Sequence, residues 1–267
     1  MGPDGSVRTA SSPEGQITRG TTNLNRLRRV DRWMAGRAEI VELLRSHRDP
    51  LAVDLGYGDR PDTAVEMSRR LRAVAPRTTL VGLEIDPARV VDDRDGVRFA
   101  RGGFELAGLR PHLVRAFNVL RQYDESQVGP AWARMQSGLA PGGLIVEGTC
   151  DEIGRRCAWI LLDADGPRSL TLAWDPEHTD RPSDIAPRLP KALIHHNVPG
   201  TPIHDLLTAA DRCWDSAAPY AAYGRRVRWQ HARTALHAQG VPCELPRRRL
   251  RDNVLTVPWE VVAPVRP

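Results

Sequence analysis

The stretch "LAVDLGYGDRPDT" (residues 51–63) decides how the chain is read. An apolar run carries an aspartate, Asp54, near its end; Gly56 and Gly58 follow two apart, and a proline and a threonine lie beyond. A short apolar strand running through glycines into a helix is the turn with which α/β sheets meet nucleotides. Both glycines can take positive φ and let the backbone approach a ligand closely. A dinucleotide turn requires G-x-G-x-x-G, and here the third position is Pro61, so that fingerprint is incomplete.

Working outward, alternation of strands and helices predicts a parallel sheet covered on both faces. Upstream, Leu27, Val30, Met34, Ala38 and Val41 recur at helical spacing and predict one helix over 26–45, stopped by Asp49-Pro50. Downstream, a helix over 62–74 ends before Pro76. "TTLVGLEI" (78–85) is nearly all apolar, as a strand buried on both faces is. "GVRFARGG" and "PHLVRAFNVL" read as the third and fourth strands, "PAWARMQSGL" as a helix, and "LIVEGT" (144–149) as the fifth strand. The pattern then changes. "CAWILLD" and "SLTLAWD" form a hairpin, a proline-rich stretch follows, and Thr201-Pro202 opens a helix with Ile203, Leu206, Leu207, Ala210 and Trp214 on one stripe. A last helix over 225–239 precedes "VPCELPRR" and "NVLTVPWEVV", read as a closing strand pair.

The second strand ends in "GLEID", where the Glu84 carboxylate is placed to accept from ribose hydroxyls. A dinucleotide or an S-adenosylmethionine (SAM) ligand satisfies that feature equally. An acidic residue followed by G-x-G, as Asp54 stands to Gly56 and Gly58, suits SAM, whose amino-acid tail carries an ammonium and a carboxylate where a dinucleotide has a pyrophosphate. "LAPGGLIVEG" (139–148) and "VRAFNVL" (114–120) complete the pattern. Together these segments resemble class I SAM-dependent methyltransferases over 49–149 and again over 225–262.

The resemblance implies a Rossmann-like, seven-stranded α/β sheet with an antiparallel last strand and an insertion after the fifth strand. The polar, Gly-, Ser- and Thr-rich residues 1–23, with no apolar core of a signal sequence, are expected to be a disordered tail; the expected organisation beyond it is a SAM-binding core over 24–149, a hairpin-helical insertion over 150–223 acting as substrate lid, and the last helix with the closing strand pair over 224–267. The resemblance implies SAM as cofactor, with Asp54, Gly56, Tyr57 and Gly58 flanking the methionine part. Glu84 would hold the ribose, Ile85 would lie under the adenine, Gly103 and Phe104 at its edge, and Asn118 near the methionine–ribose junction. The family's acidic residue after the third strand is replaced by Gly103 in "RGGFEL", which leaves adenine recognition to backbone groups or Phe104.

Methyl transfer from a sulfonium needs alignment of donor and acceptor and exclusion of water; a base is needed only when the acceptor must lose a proton. "ALIHHNVPGTPIH" (192–204) supplies candidates, and His195 is the expected base. No [DN]-P-P-[YF] motif or Pro-Cys follows the fourth strand, which argues against adenine, glutamine or cytosine C5 methylation. A small-molecule acceptor is the leading expectation. An RNA or protein methyltransferase, or a SAM-binding module without activity, stands as the alternative. The net charge of +5 favours an anionic partner. Lys191 is the only lysine, however, and three arginine clusters, over 26–32, 225–228 and 247–251, carry much of the charge. Whether they meet at one cleft decides the RNA reading. Cys150, Cys157, Cys213 and Cys243 lack C-x-x-C spacing, which argues against zinc and for a reducing, cytoplasmic setting. No apolar run is long enough to span a membrane.

Overall fold

The computed structural model describes residues 13–17, 22–245 and 252–264. Five strands run parallel in the order β3-β2-β1-β4-β5: β1 (Leu51–Leu55), β2 (Thr79–Glu84), β3 (Val97–Arg101), β4 (Leu113–Phe117) and β5 (Leu144–Cys150). The order reverses between β1 and β4. That is the switch point where the C-terminal ends of open α/β strands leave a crevice. Helices α1 (Arg28–Gly36), α2 (Ala38–Ser46) and α3 (Asp62–Val74) cover one face. Helix α4 (Val128–Gly138) covers the other, with Met135 fully buried. The fold is the Rossmann-like α/β arrangement that the methyltransferase resemblance implies.

The helix expected over 26–45 is two helices. Gly36 weakens the first, and Arg37 adopts an extended conformation (φ −82°, ψ 115°) between α1 and α2. There the Arg37 guanidinium reaches Glu39 at 2.6 Å and Glu244 at 2.5 Å.

The larger difference lies after β5. The hairpin strands β6 (Arg156–Asp163) and β7 (Gly166–Trp174) belong to the main sheet and are not part of an insertion. β6 pairs antiparallel with β5, β7 with β6, and β8 (Asn253–Pro258) with β7. The sheet therefore has eight strands where seven were expected. Its last strand does run antiparallel to β1–β5, as expected. The physical reason is in the hairpin itself: residues 157–162 are buried on both faces, so the hairpin needs cover from two layers and cannot stand off as a lid. Trp159 meets Trp33 of α1 edge-on at 5.4 Å on one face. On the other, Trp174 meets Trp229 of α7 (Arg225–Ala238) at 5.1 Å. Only residues 175–223 leave the sheet. They hold the short helix α5 (Lys191–Ile194) and α6 (Pro202–Ser216), whose Ile203, Leu206, Leu207 and Ala210 are buried in the same core.

The expected strand over 241–248 is absent from 241–245, where Pro242 removes a donor and a single backbone bond, Glu244 N–H to Thr256 C=O at 2.9 Å, reaches β8. Residues 246–251, the rest of that stretch and its basic turn, lie outside the described residues, as does most of the tail expected over 1–23. Among the described residues no helix is long and apolar enough to cross a membrane.

Candidate functional site

A cavity of about 570 Å³ opens at the C-terminal ends of β1 and β4, and Asp54, Gly56, Tyr57, Gly58, Glu84 and Asn118 all line it. The turn after β1 explains why. Gly56 and Gly58 sit at φ +70° and +86°. A Cβ on Gly56 would come within 2.7 Å of Val119, and one on Gly58 within 2.6 Å of the Thr22 hydroxyl. The Gly56 N–H donates to Leu83 C=O at 2.7 Å, which ties the turn to β2. The Tyr57 ring is buried against Phe99, and its hydroxyl donates to Arg89 C=O at 2.9 Å.

Glu84 is buried at the end of β2 and is organised by backbone donors. Its Oε2 accepts from Gly58 N–H at 3.0 Å, and its Oε1 from Ile85 N–H at 3.0 Å and Asp86 N–H at 3.2 Å. A carboxylate offers about four lone-pair sites, so capacity remains for a ligand hydroxyl.

Asp54 departs from its expected role. It lines the cavity, but Arg115 of β4 grips it bidentately, Nε to Oδ1 at 2.9 Å and a terminal nitrogen to Oδ2 at 2.6 Å. The same guanidinium donates to Asp31 of α1 and to Thr63 C=O, and Arg70 pairs with Asp31 at 2.9 Å. Asp31, Asp54 and Arg115 are all essentially inaccessible. Burial pushes Asp31 up to about 6 against the pull of Arg115 and Arg70. Burial also weakens Arg115 as a base, but Asp54 and Asp31 more than offset this and hold its proton firmly. Asp54 is therefore half of a buried ion pair that joins β1, β4 and α1, not a lone carboxylate awaiting an ammonium.

Asn118 adopts φ +61° just after β4. Its Oδ1 accepts from Cys150 N–H at 3.0 Å and its amide points at the Cys150 sulfur, 3.5 Å away, which closes the gap between the ends of β4 and β5.

A slot leads off the cavity, sharing Gly56, Glu84 and Val119 with it, and Ile85, Gly103 and Phe104 line it as the resemblance implies for an adenine site. The slot is filled. Residues 14–16 run through it and leave about 20 Å³, room for roughly one water molecule. Glu14 C=O accepts from Phe104 N–H at 2.8 Å, and Glu14 N–H donates to Glu105 Oε2 at 2.7 Å. The Gln16 N–H donates to the Tyr123 hydroxyl, and the Glu14 carboxylate pairs with Arg134 at 2.8 Å. A Cβ on Gly103 would lie 2.0 Å from the Glu14 oxygen, so a glycine there permits the contact. An adenine edge offers the same pair as this peptide: a ring nitrogen that accepts beside an amino group that donates.

Glu105 and Tyr123 are the site residues that sequence reasoning missed. Glu105 stands two positions beyond Gly103, the position compared with the family's acidic residue. Its Oε1 accepts from Gly103 N–H at 2.8 Å, which turns the carboxylate back into the slot.

His195 is not among the residues that line the cavity. It is exposed at the end of α5, because Leu193 anchors that short helix in the core and turns the next residues outward. Its neighbour His196 is held by Glu125. The first arginine cluster is mostly internal: Arg29 pairs with Asp175 at 2.7 Å and Asp252 at 3.2 Å, and Arg32 with Asp252 at 2.5 Å. In the second, Arg228 lies 4.0 Å over the Trp214 ring and bonds its carbonyl. The third falls outside the described residues. Of the first two, only Arg26 reaches the cavity, so they do not form the shared basic face that an RNA substrate requires. Among the described residues no cluster of three or more His, Cys, Asp or Glu is placed to hold a metal ion.

No protein-family model matches the chain. No curated protein matches it. Parts of solved structures do, methyltransferases among them. A type II methyltransferase assignment from Anaeromyxobacter dehalogenans is 15% identical over 49% of this chain and 50% of its own, with a TM-score of 0.36. Human N-acetylserotonin methyltransferase, solved with SAM, is 19% identical over 48% of this chain and 42% of its own, with a TM-score of 0.31. DesVI of Streptomyces venezuelae is 16% identical over 57% of this chain and 76% of its own, also with a TM-score of 0.31. The chain thus spans half or less of the first two. Such partial likenesses assign no residue, substrate or partner to this chain.

Proposed function

We propose that the chain binds SAM across the cavity and the slot and transfers its methyl group to a small-molecule acceptor. The observation that carries this reading is the juxtaposition of Gly56, Gly58 and Glu84 around one cavity that shares Gly56, Glu84 and Val119 with the slot lined by Phe104. The residues suit each part of such a ligand. The two positive-φ glycines let backbone approach the amino-acid tail. Glu84 keeps accepting capacity for ribose hydroxyls. The Phe104 N–H and Glu105 carboxylate complement a purine edge.

SAM supplies an electrophilic methyl group on a sulfonium whose leaving group departs neutral. The protein's part is to align the acceptor, exclude water and, for a protonated acceptor, remove a proton. His195 stands outside the cavity and is not proposed as a base. The buried Asp31–Arg115–Asp54 group fixes β1 against β4, so the turn and Asn118 keep their separation. Residues 14–16 must leave the slot before adenosine enters, which makes binding conditional on that segment.

A second reading, a SAM-fold module without transfer activity, draws on the same filled slot. Calorimetric titration with SAM, S-adenosylhomocysteine (SAH) and NAD tests both. SAM and SAH heats with none for NAD are expected, and NAD binding alone would overturn the proposal. Glu84→Gln should weaken SAH. Binding without turnover against a panel of small-molecule acceptors would favour the module.

A further inference from the structure

We infer that the acceptor site takes a small-molecule oxyanion, a carboxylate or a phosphate ester, held by Arg121, Arg188 and Arg26. This inference rests on the methyltransferase reading and names the class of its acceptor. The three arginines come from distant parts of the chain. Arg26 precedes α1, Arg121 follows β4, and Arg188 ends the proline-rich loop after β7, yet all three line the cavity that holds Glu84 and Gly58. Arg188 is the point where the region expected as a lid touches the site.

The charged groups that line the cavity differ in their partners; Arg89, near the turn, pairs with Asp86 at 3.4 Å. On the turn side the acids are already engaged: Asp54 by Arg115, and Glu84 by three backbone N–H groups. On the side of β4 and β5 the Arg121 guanidinium meets a neutral acceptor, and Arg26 binds main-chain carbonyls as part of its contacts. Arg121 donates to Pro187 C=O at 3.2 Å, and Arg26 to Asp151 C=O at 2.9 Å and Cys150 C=O at 3.5 Å. Among the described residues the Arg188 side chain makes no hydrogen bond or ion pair, although its backbone is pinned where Thr149 donates to its C=O. Glu152, which also lines the cavity, is exposed to solvent.

The three cations feel one another. Arg121 binds its proton less tightly than a free arginine, through burial first and then through Arg188 and Arg26. Like charges gathered in a cleft raise the local potential and favour an anion. Guanidinium groups supply paired donors suited to a carboxylate or phosphate. Arg121 stands three residues beyond Asn118 after β4, whereas Glu84 ends β2, two strands away in the sheet.

The test is isothermal titration of the full chain with inorganic phosphate and, separately, with succinate, at constant ionic strength, each with a parallel SAH titration. Arg188→Gln leaves no protein acceptor stranded, so its fold is expected to persist. Arg121→Gln/Arg188→Gln removes two of the three charges. Arg168→Gln, exposed and distant, is the control. Saturable binding of one oxyanion is expected, with the preferred one identifying the acceptor's charged group. It should weaken about tenfold in the double variant, as loss of charge-assisted bonds implies, and stay unchanged in Arg168→Gln. SAH affinity is read in the same variants: if it holds while anion affinity falls, the arginines serve the acceptor, whereas an equal fall places the SAH carboxylate on these cavity-lining arginines and overturns the inference. Equal anion affinity in wild type and double variant, or no saturable binding, overturns the inference even where SAH binds. Saturable, arginine-dependent anion binding without SAH binding keeps the oxyanion site and overturns the methyltransferase reading.

Discussion

Glu14 and Phe104 meet backbone to backbone, with the Phe104 N–H donating to the Glu14 carbonyl at 2.8 Å. The neighbouring Glu14 N–H is taken by Glu105, so one peptide offers the slot an acceptor beside a donor. A purine ligand has to break both bonds. The Tyr123 hydroxyl adds a third tie by accepting from Gln16 N–H. Tyr123→Phe should therefore favour the open slot and tighten SAH binding about fivefold, the worth of roughly 1 kcal/mol for a lost hydrogen bond. A variant lacking residues 1–17 should bind tighter still. Calorimetry decides. Weaker SAH binding in the shortened chain would mean that the segment folds over the ligand instead of competing with it.

If the slot takes adenine as proposed, Glu105 is the residue expected to distinguish one purine from another. A carboxylate there accepts from an amino group but offers no donor to a carbonyl. Wild type should prefer SAH over S-inosylhomocysteine, in which a 6-oxo group replaces the amine. In Glu105→Gln the new amide can present a donor, so SAH should weaken about tenfold and the preference narrow or reverse. Competition binding with the two ligands reads this ratio. An unchanged ratio would remove Glu105 from the site.

The features legible in sequence were those made within a few residues. Gly56 and Gly58 announce a positive-φ turn, Glu84 ends an apolar run, and Pro141-Gly142-Gly143 separates α4 from β5, with Gly142 at φ +72°. The pairing of Asp54 with Arg115 spans 61 residues and was hidden. Its only local trace is one arginine inside the apolar "LVRAF" of β4, a charge that has to find a partner once that strand is buried. Apart from the exposed Glu14–Arg134 ion pair, the contacts of residues 14–16 use main-chain groups that every residue carries, so a polar stretch gave no sign of docking. The alternation in 157–174 showed strands but not their partners. Pairing depends on which edge is open, a property of the assembled sheet. His195 illustrates the converse: an apt side chain in an apt loop, turned outward by packing of Leu193 two residues earlier.

Arg115 is expected to govern stability more than ligand affinity. Replacing it by Met leaves Asp31 and Asp54 buried beside each other without their shared cation. Breaking a buried ion pair from one side typically costs about 3–5 kcal/mol. Urea denaturation of Arg115→Met should show a loss of that order. Asp54→Asn should also lose stability, so any fall in its SAH affinity has to be measured under conditions where the fold is intact. A loss below about 1 kcal/mol in Arg115→Met would show that the pair is not the clamp between β1 and β4.

Glu147 of β5 gives the fold a pH dependence of its own. It is fully enclosed on the face toward α4, and neither carboxyl oxygen has a hydrogen-bond partner among the described residues. Burial pushes its carboxyl up to about 8. Below the ordinary glutamate range, folded and unfolded chains are both protonated and the group has no effect on the slope. Between there and pH 8 the unfolded chain releases the proton while the folded chain keeps it. Stability therefore falls as pH rises, by at most about 1.4 kcal/mol per pH unit, and levels off above the folded value. Glu147→Gln cannot ionise and lacks this slope. Denaturation curves at pH 5, 6.5, 8 and 9 should show the variant gaining on wild type steadily up to about pH 8, with a constant gap beyond it. Parallel curves across the range would mean that Glu147 is ionised, and its charge compensated, inside the folded protein.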